Sequence, residues 1–212
     1  MSVLKTILAA LALLAPSALR AQDVSGTVCL YSRYLDYDLF VLTSQPVVQA
    51  VVYAEVAEAC SLMAWGSHGL STRVGGELDV GGFCGMDIGG THVTATALRA
   101  FTRGSRDTSI ASLRLDSAGF DLTVEQYIWD ANPDGTRVYT GYTFKAVEAL
   151  TLHPMMIYET GLGVPDILVA GADAAVELGG DVSLFGMALV PVAKANDDDR
   201  KARAQVGLRY AF

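Results

Sequence analysis

The sequence predicts an all-β chain: an antiparallel transmembrane β-barrel of 12 strands, with eight or ten as alternatives if long strands have been split. Three observations predict it. Hydrophobic residues make up 51% of the chain, with a mean hydropathy of +0.34, yet only 18% are charged, against about 25% in a soluble globule. Beyond Ala21 no charge-free apolar run reaches the about 20 residues that a membrane helix needs; the nearest, Pro46–Trp65, is interrupted by Gln49, Glu55 and Glu58. Apolar and polar residues then alternate almost throughout, as in a strand with lipid on one face and water on the other.

The elements follow in order. Lys5, the apolar run Ile7–Ala15 and the small residues leading to Ala21 form the three regions of a cleavable signal peptide. Domain organisation is therefore expected to be a signal peptide over 1–21 and a barrel over 22–212. Strand one, 24–34, turns Cys29, Tyr31 and Arg33 toward the lumen; strand two, 46–56, turns Gln49, Tyr53 and Glu55 there. Strands 59–67 and 72–83 follow, the latter with Arg73, Glu77 and Asp79 inside. After 90–101, strand 108–116 contributes Ser112 and Arg114, and strand 120–129 contributes Asp121, Thr123, Glu125 and Tyr127. Lys145 comes from 137–147, His153 from 150–159, and Asp173 and Glu177 from 166–178. After 181–193, the last strand, 202–212, places Arg203 and Arg209 inside and ends its apolar face on Leu208, Tyr210 and Phe212. The same charges on the lipid face would cost about 2–4 kcal/mol each for Lys or Arg at mid-membrane.

The connections alternate as well. Ala57-Glu58, a compact junction near Met86–Gly89, Ser117–Gly119, Glu148-Ala149 and Gly179-Gly180 are short turns, whereas Leu35–Gln45, His68–Ser71, Thr102–Asp107, Asp130–Thr136, Thr160–Pro165 and Lys194–Lys201 are longer or more polar. Bacterial barrels keep the short set periplasmic and the long set outside.

Charge narrows the function classes. Without 1–21, 13 cations stand against 23 acids, a net charge of −10, and no basic stripe exists for nucleic acid to bind. The three cysteines, Cys29, Cys60 and Cys84, match no zinc spacing. An odd number cannot complete a disulfide framework, so buried or half-buried thiols are expected, with Cys60 and Cys84 able to bridge only if their strand ends meet at one rim.

Ser67-His68 is the nearest approach to a nucleophile and base, but neighbours on a strand point to opposite faces. His68, His92 and His153 therefore read as rim or lumen histidines rather than catalytic ones. Asp130–Gly135 imitates the opening of an EF-hand loop, yet Gly141 stands where the bidentate Glu is required; it reads as turn chemistry. Asp197–Asp199 reads as a solvated loop tip. No cofactor or metal is expected.

Several short pieces together resemble the TorF-like family of small outer-membrane porins: Val24–Arg33 with Tyr34, Ser44–Ala50, Ala64–Ser67, Gly75–Asp79 and Val206–Phe212. That resemblance implies a barrel in the outer membrane of a Gram-negative bacterium that passes small solutes, and it supplies no catalytic residues. Its terminal Leu208, Tyr210 and Phe212 resemble the signal by which the barrel-assembly machinery recognises its clients. The expected partners are outer-membrane lipids, lipopolysaccharide, that machinery and small solutes. A narrow porin-like channel is the expected function. A plugged structural or adhesive barrel, a lipid-modifying barrel enzyme and a secreted β-sandwich or lipocalin-like carrier are the alternatives.

Overall fold

The computed structural model describes residues 23–35, 41–70, 76–102, 107–129, 135–161, 166–194 and 201–212, with backbone alone at 41–43, 102, 129 and 194. Segment 1–21, Arg73, Asp130–Asp134 and Asp197–Asp199 lie outside the described residues.

Period-two alternation is realised as one meander of twelve antiparallel strands closed into a barrel. The strands are β1 (Val24–Tyr31), β2 (Val47–Ala57), β3 (Cys60–Gly69), β4 (Gly76–Ile88), β5 (Thr91–Thr102), β6 (Thr108–Ser117) and β7 (Phe120–Trp129). Then come β8, in two segments (Gly135–Tyr142 and Phe144–Val147), β9 (Leu150–Thr160), β10 (Ile167–Gly179), β11 (Val182–Lys194) and β12 (Arg203–Ala211). Each strand pairs with its neighbours in sequence, and β1 pairs with β12 to close the ring. Closure removes every unpaired strand edge, as a lipid-exposed sheet requires. The last residue takes part: Phe212 and Gly26 exchange backbone hydrogen bonds at 2.9 and 3.0 Å.

The turns on one rim are tight. Gly89-Gly90 and Gly179-Gly180 all have positive φ, from 59° to 103°, the conformation that glycine adopts without a steric cost. The first of these turns differs from the sequence expectation. Met86, Asp87 and Ile88 continue β4, and the chain reverses at Gly89-Gly90, because His92 pairs with Asp87 across the ladder and keeps the strands together to the end.

Register divides the side chains cleanly. The outer face carries Val28, Leu30, Leu122, Val124, Leu184, Val190 and Leu208, all substantially exposed. An aromatic group, Phe120, Tyr142 and Phe144, sits on that face near the short-turn rim, with ring centroids 4.8 and 6.0 Å apart in succession. Tyr210 and Phe212 stack at the same rim. Apolar band and aromatic girdle are what a bilayer selects on a barrel exterior. The inner face holds the buried residues, among them Cys29, Tyr31, Asp121, Thr123, Met155 and Leu189.

One expectation is corrected by the cysteines. Cys60 and Cys84 lie directly opposite each other on β3 and β4 and form a disulfide; only Cys29 remains a buried thiol. Their strand ends meet at the short-turn rim.

Candidate functional site: the barrel interior

The strand lattice places the charged residues of the alternation in register with one another, with Arg114, Lys145 and Glu177 exposed. Cys29 and Arg209 are cross-strand partners, as are Ser67 and Glu77, Trp65 and Asp79, Glu55 and Ser61, Glu177 and Ser183, and Leu189 and Arg203. Ser112 and Glu125, Arg114 and Thr123, and Lys145 and Thr151 are further pairs on that lattice. Arg33 follows β1 at the long-loop rim and is half-buried.

Toward the long-loop rim the interior is filled. Arg137, which is 6% exposed, binds Glu159, which is 1% exposed, through Nε at 2.9 Å. Its Nη1 lies 3.8 Å from Glu125, and its guanidinium stands over the Tyr127 ring, 5.3 Å from the centroid. The Tyr127 hydroxyl donates to Glu125 at 2.8 Å. Beside this network Met155, Ile157, Ile167, Val169, Met187 and Leu189 form an apolar cluster. Buried charges persist only when paired and hydrogen-bonded, and here each carboxylate has a cation or a phenol.

The first long connection completes that filling. Just after β1, a short antiparallel ribbon pairs Tyr34-Leu35 with Val41–Thr43. Leu35, 4% exposed, inserts into the apolar cluster of β9–β11. Its neighbour Tyr34 donates a hydrogen bond to Glu77 on β4 at 2.7 Å and meets the Trp65 ring on β3 edge-on. Two consecutive residues thus reach opposite walls, and the ribbon crosses the bore.

Toward the short-turn rim the interior is hollow. One cavity of ≈ 310 Å³ lies against β1–β3 and β12, lined by Thr27, Cys29, Tyr31, Gln49, Tyr53, Trp65 and Arg209 among others. A second, of ≈ 290 Å³, is bounded by Arg114, Asp121, Tyr139, His153, Asp173, Phe185 and again Arg209. Arg114 is held by Asp116 through Nε at 2.9–3.0 Å and Nη2 at 2.7 Å. His153 reaches from β9 across β8 to Asp121 on β7, with Nε2 to Oδ1 at 2.8 Å, while its Nδ1 lies 3.7 Å from Asp173 on β10. The crossing depends on Gly141 of β8, where a Cβ would collide with the imidazole.

The interior has a topology seen before in solved structures. At 11% identity and a TM-score of 0.62, the chain is similar to the KdgM porin over 89% of its own length and 99% of that protein's. A KdgM porin in complex with disordered oligogalacturonate gives 9% identity, a TM-score of 0.61 and coverage of 89% and 98%. An outer membrane channel from Pseudomonas putida F1 gives 10%, 0.59, 89% and 94%. The chain has the fold of an outer-membrane β-barrel. No protein-family model and no curated protein matches its sequence.

Arg137 and Glu159, the most deeply buried ion pair among the described residues, are not among the inward charges named from the sequence. Both lie on alternations already recognised: 137 shares its face with 145, and 159 with 153. Extending the period to each strand end would have found them. His153 lies inside the barrel. His92 bonds Asp87 at 2.9 Å at the exposed short-turn rim, and His68 points to the face opposite buried Ser67.

Proposed function

We propose that this chain is a narrow porin-like channel of the Gram-negative outer membrane, carrying small solutes or ions by passive diffusion. It is a member of the TorF-like family and is exported by a signal peptide over 1–21. The observation that carries the reading is the pair of cavities, ≈ 310 and ≈ 290 Å³, that share Arg209 inside a closed wall with an apolar exterior. Twelve strands lie between the side-chain-filled eight-strand barrels and the open porins. The inward charges named above are the lining of the path. Lipids and lipopolysaccharide surround the barrel, the long loops face outward, and Leu208, Tyr210 and Phe212 are read by the assembly machinery.

Mixed charge supports weak ion selectivity. Arg33, Arg73, Arg114, Lys145, Arg203 and Arg209, of which Arg73 lies outside the described residues, oppose Glu55, Glu77, Asp79, Asp121, Glu125, Asp173 and Glu177, and the Arg137–Glu159 pair leaves that near balance unchanged. Transport rather than lipid chemistry also fits the histidines. His153 is inside, away from lipid, and Ser67 and His68 face apart.

Refolded barrel in a planar bilayer should give discrete, stable single-channel openings with a reversal potential near zero or slightly cation-selective. A strong anion preference would overturn the mixed-charge lining. The second reading, a plugged structural barrel, is favoured by the Tyr34-Leu35 ribbon across the bore and predicts silence from folded, inserted protein. The fold it shares with a porin solved with oligogalacturonate makes a sugar acid one solute to try.

A further inference from the structure

The ≈ 290 Å³ cavity is bounded by charges of both signs that do not neutralise each other. Among its cations, Arg114 is already engaged by Asp116. Arg209 is not engaged in this way. Its guanidinium lies over the Phe185 ring, 5.0 Å from the centroid, and lines the neighbouring cavity with Tyr31 and Cys29. Among the described residues no carboxylate lies within ion-pair distance of it.

The acidic side is equally incomplete. His153 Nε2 lies 2.8 Å from Asp121 Oδ1, whereas its Nδ1 stands 3.7 Å from Asp173 Oδ2, at ion-pair rather than hydrogen-bond distance. Asp173 Oδ1 and Asp121 Oδ2 are both buried without a hydrogen-bond partner, and Asp121 is 4% exposed. A carboxylate with one oxygen left unbonded and a guanidinium without a carboxylate would each gain from a ligand of opposite charge. Here they bound one space and do not touch.

We propose that this cavity is a subsite for a small zwitterion of the α-amino-acid type, its carboxylate on Arg209 and its ammonium on Asp173. One molecule with both charges completes both groups, whereas a simple anion or cation completes only one and leaves the other unpaired. The volume, at the lower end of small-molecule pockets, suits a single small solute rather than a chain of sugars. Gly141 and His153 matter to the site indirectly: the imidazole bonds Asp121 through Nε2 and leaves Asp173 Oδ1 without a hydrogen bond.

The proposal rests on the channel reading for its transport consequence, and the test separates the two. Proteoliposomes holding the refolded chain are given L-alanine or its uncharged isomer lactamide at low concentration and neutral pH. In parallel, both solutes are titrated calorimetrically into the folded barrel in detergent. Alanine should enter roughly tenfold faster than lactamide, as a charge-assisted contact implies, and its flux should saturate while that of lactamide stays linear. R209Q and D173N should each bring alanine entry down to the lactamide rate measured in the same variant, and the double variant should remove no more. Equal rates for the isomers, or an advantage that survives both variants, overturns the zwitterion site. If neither solute enters, the channel reading fails, and calorimetry decides the site: alanine binding lost in R209Q and D173N sustains it, and no binding overturns it.

Discussion

Between Arg137 and Leu189 the barrel interior is packed, whereas a few residues along the same strands, between His153 and Arg209, it encloses a cavity. Backbone cannot explain the contrast, because one lattice of hydrogen-bonded pairs runs through both regions. Side-chain volume and pairing explain it. In the packed region Ile157 and Val169 are cross-strand partners, Arg137 is joined to Glu159, and Leu35 enters from the first connection. In the hollow region Gly141, Thr151 and Ala175 take the equivalent inward places, and one of the two arginines, Arg209, lies along a ring. A twelve-strand barrel is wide enough that inward side chains do not close it by default; it closes where large residues and matched charges coincide.

The sharpest way to break the packed region is Glu159→Ala. It removes the 2.9 Å partner of Arg137, itself 6% exposed, and breaking a buried ion pair from one side costs about 3–5 kcal/mol. The urea midpoint of the folded barrel in detergent should fall accordingly. A double replacement, Arg137→Met with Glu159→Leu, should restore most of it, because apolar pairs of similar volume replace buried ion pairs at little cost. A smaller loss in Glu159→Ala than in Leu208→Ala on the lipid face would show that the network is solvated.

The second largest effect lies at the short-turn rim. Replacing Cys60 and Cys84 together by Ser opens a crosslink over a sequence separation of 24, worth about 3 kcal/mol through the unfolded chain. Thermal midpoints with and without reductant should differ by the same amount in the parent protein and not at all in the variant.

These two features also mark how much was legible. All twelve strands are in the sequence because period two is enforced by solvent on both faces, lipid outside and water or partner inside; a single slip would invert every side chain. The inward charges Glu77, Asp121, Asp173 and Arg209 follow from the same parity. Pairing does not. Which acid Arg137 selects depends on register between β8 and β9, and Cys60 opposite Cys84 depends on register between β3 and β4. Alternation within one strand carries neither. The inward path of Tyr34 and Leu35 was hidden for another reason: a connection has no period, so its burial is set wholly by the walls it meets.

Leu35→Ala tests that third element. Truncating a buried leucine costs about 2–5 kcal/mol, but this one belongs to a connection, so the loss should appear as release of the ribbon rather than collapse of the barrel. Single-channel conductance should rise and protease should cut the first connection faster, with the urea midpoint little changed. An unaltered conductance would mean that the Tyr34–Glu77 bond alone holds the ribbon in the bore.

The smallest effect belongs to the hollow region, where less is packed and less can be lost. Gly141→Ala places a methyl where the His153 ring now crosses β8. The imidazole tip is the mobile partner, so it yields first, and the 2.8 Å bond to Asp121 is given up. One hydrogen bond of this kind is worth about 1 kcal/mol net, and the midpoint should drop by that amount. His153→Ala should produce a similar loss, and the two changes together should cost no more than His153→Ala alone, since the methyl then fills space the ring has vacated. A double-variant loss equal to the sum of both would mean that Gly141 is needed for the strand itself and not for the crossing, and the hollow region would then owe its shape to backbone after all.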